Sequence, residues 1–241
     1  KGQTSLLIRH IEKFIAAQVD ILIVGTNDPD AVVPVITKAH QRGIAVIILD
    51  RGINSTAYTT FINSDNVKIG RIAAQYLAEY LGGKGTVLLF EGLPKADVTQ
   101  LRNKGFLDEI SQYPEIKVIR RIGNSLRKDA ILEMEKLIAK DIHLDAIFSE
   151  SDSMLSGVRS ALQRHGMDPK NIITIGCDYT TEAREAIRRG TQTASILFPL
   201  GGRKSVEIAL KILNGEELPE HISIPVKLLT RDNVETVEPV F

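Results

Sequence analysis

The sequence predicts an α/β protein in which helices wrap parallel sheet, and three observations lead there. Short apolar runs rich in β-branched residues alternate with segments of helical periodicity almost throughout the chain. The run Ile47-Ile48-Leu49 ends in Asp50-Arg51, which puts a carboxylate and a planar guanidinium fork at the carboxyl edge of a sheet, where open α/β folds hold ligands. At 241 residues, the chain has ample length to bury a core, as one large domain or two small ones.

Taken in order, the strand candidates are 20–24, 44–49, 58–62, 85–90, 116–121, 144–148, 171–176, 193–198 and 223–229, with helices between them. Asp28-Pro29-Asp30 reads as a turn and helix cap, with the proline at the first helical position. The clearest helix spans 66–81, where Ile69, Ile72, Ala73, Tyr76, Leu77 and Tyr80 make one stripe. Ser64-Asp65-Asn66 caps its start, because short side-chain oxygens satisfy orphan N–H groups there. Gly82, Gly83 and Gly85 stop it, and they precede a strand, whereas a phosphate-binding loop follows one.

Composition excludes several function classes. Thirty basic and thirty acidic residues cancel, and no single-sign block is long enough to attract nucleic acid or an anionic bilayer, so no nucleic-acid partner is expected. The single cysteine, Cys177, rules out an internal disulfide and reads as a small core residue at a strand end. His10, His40, His143, His165 and His221 are scattered without the spacing of a metal site, and no Gly-x-Ser-x-Gly elbow occurs. Neither enzyme, metal nor cofactor is therefore expected. No stretch has the length of a membrane span, and Lys1-Gly2-Gln3-Thr4-Ser5 does not read as a signal peptide. If exported, this is expected to be a processed or trimmed form.

The Asp50-Arg51 pair followed by Asp65-Asn66 resembles the ribose-binding and related sugar-binding proteins of the type 1 periplasmic binding fold. The resemblance covers the whole chain but begins at what would be that fold's second helix, so its opening strand, helix and second strand are not in this sequence. It implies two doubly wound parallel-sheet lobes joined by three crossovers, with 1–63 plus 199–225 as an incomplete lobe one and 64–198 plus 226–241 as lobe two. Hinges are expected near Ser64-Asp65, Phe198-Pro199 and Val226-Lys227.

By the same resemblance, ligand contacts fall on Asp50 and Arg51, on Arg102 of Arg102-x-x-Gly105-Phe106, and on Asp178 of Ile175-Gly176-Cys177-Asp178. Asn27, Leu93, Ser151 and Phe198 complete the expected set. Charged groups make the stronger hydrogen bonds to neutral hydroxyls, and Arg forks hold adjacent hydroxyls bidentately. Departures from the ribose pattern bear on specificity. Ser151 stands where an asparagine is expected, Phe198 where a glutamine is, Gly25 where an asparagine is, and Ser125-Leu126 where an aromatic is. Phe198 reads equally as core filler and as an aromatic wall.

The implied function is the monomeric solute-binding component of an ABC importer, exported to the periplasm or beyond, which captures a monosaccharide or polyol in an interlobe cleft and meets a membrane permease. The alternatives sharing this fold are the effector core of a LacI-type regulator and the extracellular sensor domain of a receptor. Nothing basic or helix-turn-helix-like precedes residue 20.

Overall fold

A computed structural model describes residues 4–240. The chain begins with α1 (Thr4–Ala16), β1 (Ile21–Val24), α2 (Val33–Gln41), β2 (Ala45–Leu49) and β3 (Thr60–Ser64). It continues through α3 (Asn66–Tyr80), β4 (Lys84–Glu91), α4 (Asp97–Ile110), β5 (Glu115–Ile122), α5 (Arg127–Ile138), β6 (Ala146–Ser149), α6 (Asp152–Arg164), β7 (Ile173–Asp178), α7 (Thr181–Arg189) and β8 (Ala194–Leu197). It ends with α8 (Gly202–Leu213), β9 (His221–Ile224) and β10 (Lys227–Thr230). Two compact units result: one holds the described residues up to Ser64 with Leu200–Pro225, the other Asp65–Pro199 with the residues from Val226.

The first unit is a four-stranded parallel sheet in the order β1-β2-β3-β9. Because successive strand residues face opposite sides, Val46 and Ile48 join Ile11, Ile15, Leu22 and Ile36 under α1 and α2, while Ile47 and Ile62 pack with Ile208 of α8. The second unit is a six-stranded sheet in the order β10-β8-β7-β6-β4-β5, parallel apart from β10, which runs antiparallel to β8. Val87 and Leu89 face Ile69, Leu77 and Phe106 of α3 and α4; Leu88 and Phe90 face Met134, Leu155 and Leu162 of α5 and α6.

Most strands lie within two residues of their expected positions, but two expectations need correction. The 223–229 candidate is two strands in two sheets: β9 pairs with β3 and β10 with β8. Pro225, which has no N–H for a ladder, separates them. Asp28-Pro29-Asp30 does not open a helix. Asp28 Oδ1 accepts the Ala31 amide at 3.0 Å, and α2 starts only at Val33, with Pro34 in its first turn.

The expected 66–81 helix is α3, with Asp65 as its N-cap accepting the Lys68 amide at 2.9 Å. Past its end, Gly82 and Gly83 take φ of 62° and 81°, a left-handed conformation that L side chains resist. Helices α3 and α4 approach so closely that glycine is required on both. A Cβ on Gly105 would lie 1.9 Å from the Val67 carbonyl oxygen, and one on Gly70 would lie 2.0 Å from that of Arg102. The Gly105→Ala substitution should therefore destabilise the fold by about 3 kcal/mol, through forced separation of two packed helices. Gly202→Ala, at a position with open space around it, should be nearly neutral. Urea unfolding of the two variants against the parent checks this, and equal stabilities would remove the close-packing argument.

Candidate ligand-binding site

The candidate residues gather at the carboxyl ends of the strands of each sheet. In the first unit, Asp50 follows β2 in a left-handed conformation, φ 70°, while its amide donates to Ile62 of β3 at 2.8 Å. Left-handed backbone at a non-glycine residue is uncommon and concentrates at functional sites. Arg51 lies beside it, Nε 3.9 Å from the Asp50 carboxylate, and its Nη1 donates to Asn27 Oδ1 on the loop after β1. Asn27, Asp50 and Arg51 thus form one polar group, with charged side chains about one-third exposed.

In the second unit, Arg102 is the centre. It rises from α4, is 6% exposed, and has its fork aimed by three groups from other elements. Nε donates to Asn66 Oδ1 at 2.9 Å, Nη1 donates to the Glu150 carbonyl at 2.6 Å, and the guanidinium carbon stands 4.8 Å from the centre of the Phe198 ring. Asn66, expected only as part of a cap, is the partner that orients Arg102. Phe198 packs in the α3/α4 core, as its core-filler reading expects, and its ring also lies beneath the Arg102 guanidinium.

Asp178 closes β7 with φ 108°, followed by Tyr179 at 62°, so two consecutive non-glycine residues hold left-handed backbone. A buried carboxylate stabilises this turn. Asp152, 2% exposed on α6, accepts the Tyr179 amide at 2.7 Å, the Thr180 amide at 3.3 Å, the Ser195 hydroxyl at 2.7 Å and the Gln192 amide at 2.8 Å. A Cβ on Gly176 would sit 1.8 Å from that carboxylate, so glycine beneath it is obligatory. Ser151 caps α6, its Oγ accepting the Met154 amide at 3.2 Å. Leu93 lies exposed on the loop after β4. Asn124 and Ser125, after β5, add another left-handed pair, φ 53° and 58°.

Two buried acids here escaped the sequence reading. Burial pushes Glu150 up to about 7, against the opposing pull of the Gly92 amide, Arg102 and Thr99. Burial likewise pushes Asp152 up to about 6, opposed by its four donors. The available signal was an acid on each side of Ser151, directly after the apolar run Ala146-Ile147-Phe148. Cys177 is fully buried, with its thiol pushed up by burial, in keeping with a core role. Arg120, half exposed, also grips the nearly buried Glu91 at 2.6 and 3.0 Å. Among the described residues, no cluster of three or more His, Cys, Asp or Glu side chains is placed to hold a metal.

A guanidinium fork set against an aromatic ring suits a polyhydroxyl solute, which offers hydroxyls at its rim and C–H groups on its faces. The sequence profile of the periplasmic binding protein domain matches residues 2–217. The chain belongs to the periplasmic binding protein family. It is similar to the ribose import binding protein of Bacillus subtilis, 30% identical over 223 residues that cover 92% of this chain and 72% of the relative.

Among solved structures, it is similar to the fructose-binding periplasmic domain of a hybrid two-component system, 29% identical with a TM-score of 0.88 over 96% of this chain and 78% of the other. It is also similar to an ABC-transporter solute-binding protein of Actinobacillus succinogenes with bound D-allose, 27% identical with a TM-score of 0.89 over 97% and 86%. These relatives are binding proteins rather than enzymes, and ligand binding is the activity this chain shares with them.

Asp152→Ala would orphan four donors and free the Asp178 turn, so it should cost about 3–5 kcal/mol of stability. Both buried acids have folded-state pKa values above those of an unfolded chain, so the stability they confer is full below about pH 4 and is lost as pH rises through 6 to 7. Glu235, held down to about 2 by Arg188 and Arg184, acts in the opposite sense and only at lower pH. Urea unfolding should therefore show stability falling from about pH 5 to pH 8, with Glu150→Gln removing part of the fall. A flat profile for the parent protein would refute the assignment.

Proposed function

We propose that this chain is the solute-capturing component of an ABC importer, exported beyond the cytoplasmic membrane, and that it takes a monosaccharide or small polyol between its two units by hinge closure. The observation that carries this reading is the paired placement of polar groups. Asn27, Asp50 and Arg51 stand at strand ends of one sheet, and Arg102, Asp178 and Phe198 stand at or beside strand ends of the other. The chain passes between the units at Ser64-Asp65, Pro199-Leu200 and Pro225-Val226, and these three segments are the natural hinges. A ligand that touches both units only in the closed form shifts the population toward it by its differential affinity. The proposed partner is the importer's membrane permease, met by the closed monomer.

A second reading has one specific observation in its favour. The fructose-binding relative is the periplasmic domain of a hybrid two-component system, so the same capture step can report to a sensor instead of feeding a transporter.

On specificity, Ser151 offers a hydroxyl already engaged in capping and Phe198 offers a ring in place of an amide, which leaves fewer side-chain partners for ring hydroxyls. The preferred solute is then a monosaccharide other than ribose, a deoxy sugar or a polyol. Thermal shift against a panel of pentoses, hexoses, deoxy sugars and polyols tests this, because a ligand at a hundred times its Kd adds about 2.7 kcal/mol to stability. Ribose as the tightest binder would overturn the specificity, and no binder at all would overturn the function. With the solute in hand, Asp50→Ala should weaken binding by about 1.5–3 kcal/mol in calorimetry with little change in fold stability. Small-angle scattering should show a smaller radius of gyration on binding, and an unchanged radius with binding confirmed would refute hinge closure.

A further inference from the structure

Beneath the Arg102 fork lies a carboxyl group that ligand contact does not explain. Glu150 follows β6 and is 2% exposed, on the side of the sheet covered by α4. Its backbone carbonyl accepts from Arg102 Nη1, and its Oε2 accepts the Gly92 amide at 2.8 Å. The Thr99 hydroxyl is a further donor to it. Among the described residues, Oε1 is buried with no hydrogen-bond partner, and so is Oδ1 of Asn103, one helical turn beyond Thr99 on the same face of α4. An ionised carboxylate only accepts, so Oε1 stays unmatched; a neutral carboxyl carries one O–H donor.

The charged groups acting on Glu150 include Arg102 from α4, Glu91 from β4 and Arg120 from β5, and Glu91 is itself bound by Arg120 and by Asn103. From α6 and β7, Asp152 and Asp178 act together with Glu150 on the Cys177 thiol.

We infer that Glu150 is a proton-linked positioning residue: in its neutral form it sets Arg102 and the Gly92-Leu93 turn for the solute, so that sugar is bound more tightly in mildly acidic than in alkaline solution. The inference rests on the sugar-binding reading above. Two effects give it the same sign. A seated solute displaces water near the carboxyl, which penalises the ionised form and spares the neutral one. An ionised Glu150 also draws on the guanidinium whose remaining donors serve the solute's hydroxyls. Burial has already brought the group up to about 7, within the range where binding is measured.

The test is calorimetry on the full chain with whichever sugar or polyol raises its Tm most, at several pH values from about 5.5 to 8.5 and in buffers of different ionisation enthalpy. Kd should rise about five- to tenfold from the acid to the alkaline end, and the heat should depend on the buffer as a proton is taken up. Glu150→Gln, which mimics the neutral acid, should bind with a pH-independent Kd near the acid value of the parent. Glu150→Ala, which leaves Gly92 and Thr99 without their acceptor, should bind weakly throughout. A pH-independent Kd with buffer-independent heat in the parent, or an unchanged slope in Glu150→Gln, would overturn the inference.

If the glutamine variant does not fold, the buffer dependence of the parent decides. If no solute binds at any pH, the sugar-binding reading fails and this inference falls with it; where a solute binds, carboxyl 13C titration of the unliganded chain separates the two, because an ordinary carboxylate midpoint assigned to Glu150 overturns this inference and leaves the sugar-binding reading standing.

Discussion

The contact between α3 and α4 is made by backbone where side chains would normally stand, and the geometry of the second unit's site follows from it. Gly70 lies against the Arg102 carbonyl and Gly105 against that of Val67, closer than any Cβ allows. That approach brings Asn66, at the first turn of α3, within 2.9 Å of Arg102 Nε on its neighbour. Once this bond and the one to the Glu150 carbonyl are made, most rotameric freedom of a long side chain is already spent. A ligand meeting the fork has little left to order.

The same unit shows why a polar site at a sheet edge needs acids behind it. Aiming Asp178 outward requires left-handed backbone at two successive residues, each costing of order 1–3 kcal/mol. Asp152 offsets that cost by accepting two amides of the turn and tying them to Ser195 on β8. Low dielectric makes those bonds strong, and it also raises the energy of the ionised acid. Site geometry and protonation are therefore coupled in this chain: the groups that hold the backbone are the groups that titrate near neutrality.

How much of this was legible in the sequence follows from the range of each interaction. The continuous apolar runs of β2 and β4 and the stripe along α3 are local, and the strands and helix lie where those patterns put them. The Asp65 cap spans three residues and was equally readable. Glu150 and Asp152 were not, because the groups that bond them, among them Gly92, Tyr179, Gln192 and Ser195, are 27 or more positions away. Asn66 looked like a local cap for the same reason, since Arg102 is 36 residues on. The split at Pro225 failed differently: apolar residues flank the proline on both sides and read as one run, while its missing N–H was the local sign of a break between two sheet partners.

That division has a consequence for synthesis and folding. The first three strands of the first sheet are complete by Ser64, yet the neighbour that covers the outer edge of β3 is His221–Ile224, and Phe61 pairs with His221 across 160 positions of chain. Between them comes nearly all of the second unit. During synthesis the β3 edge therefore stays without its native partner until residues 221–224 emerge. Pairings of such sequence separation form slowly, because loop-closure entropy must be met before the contacts reward it. During that interval β3 is a template for any extended segment nearby, so the yield of native protein depends on keeping this edge unoccupied until its own strand arrives.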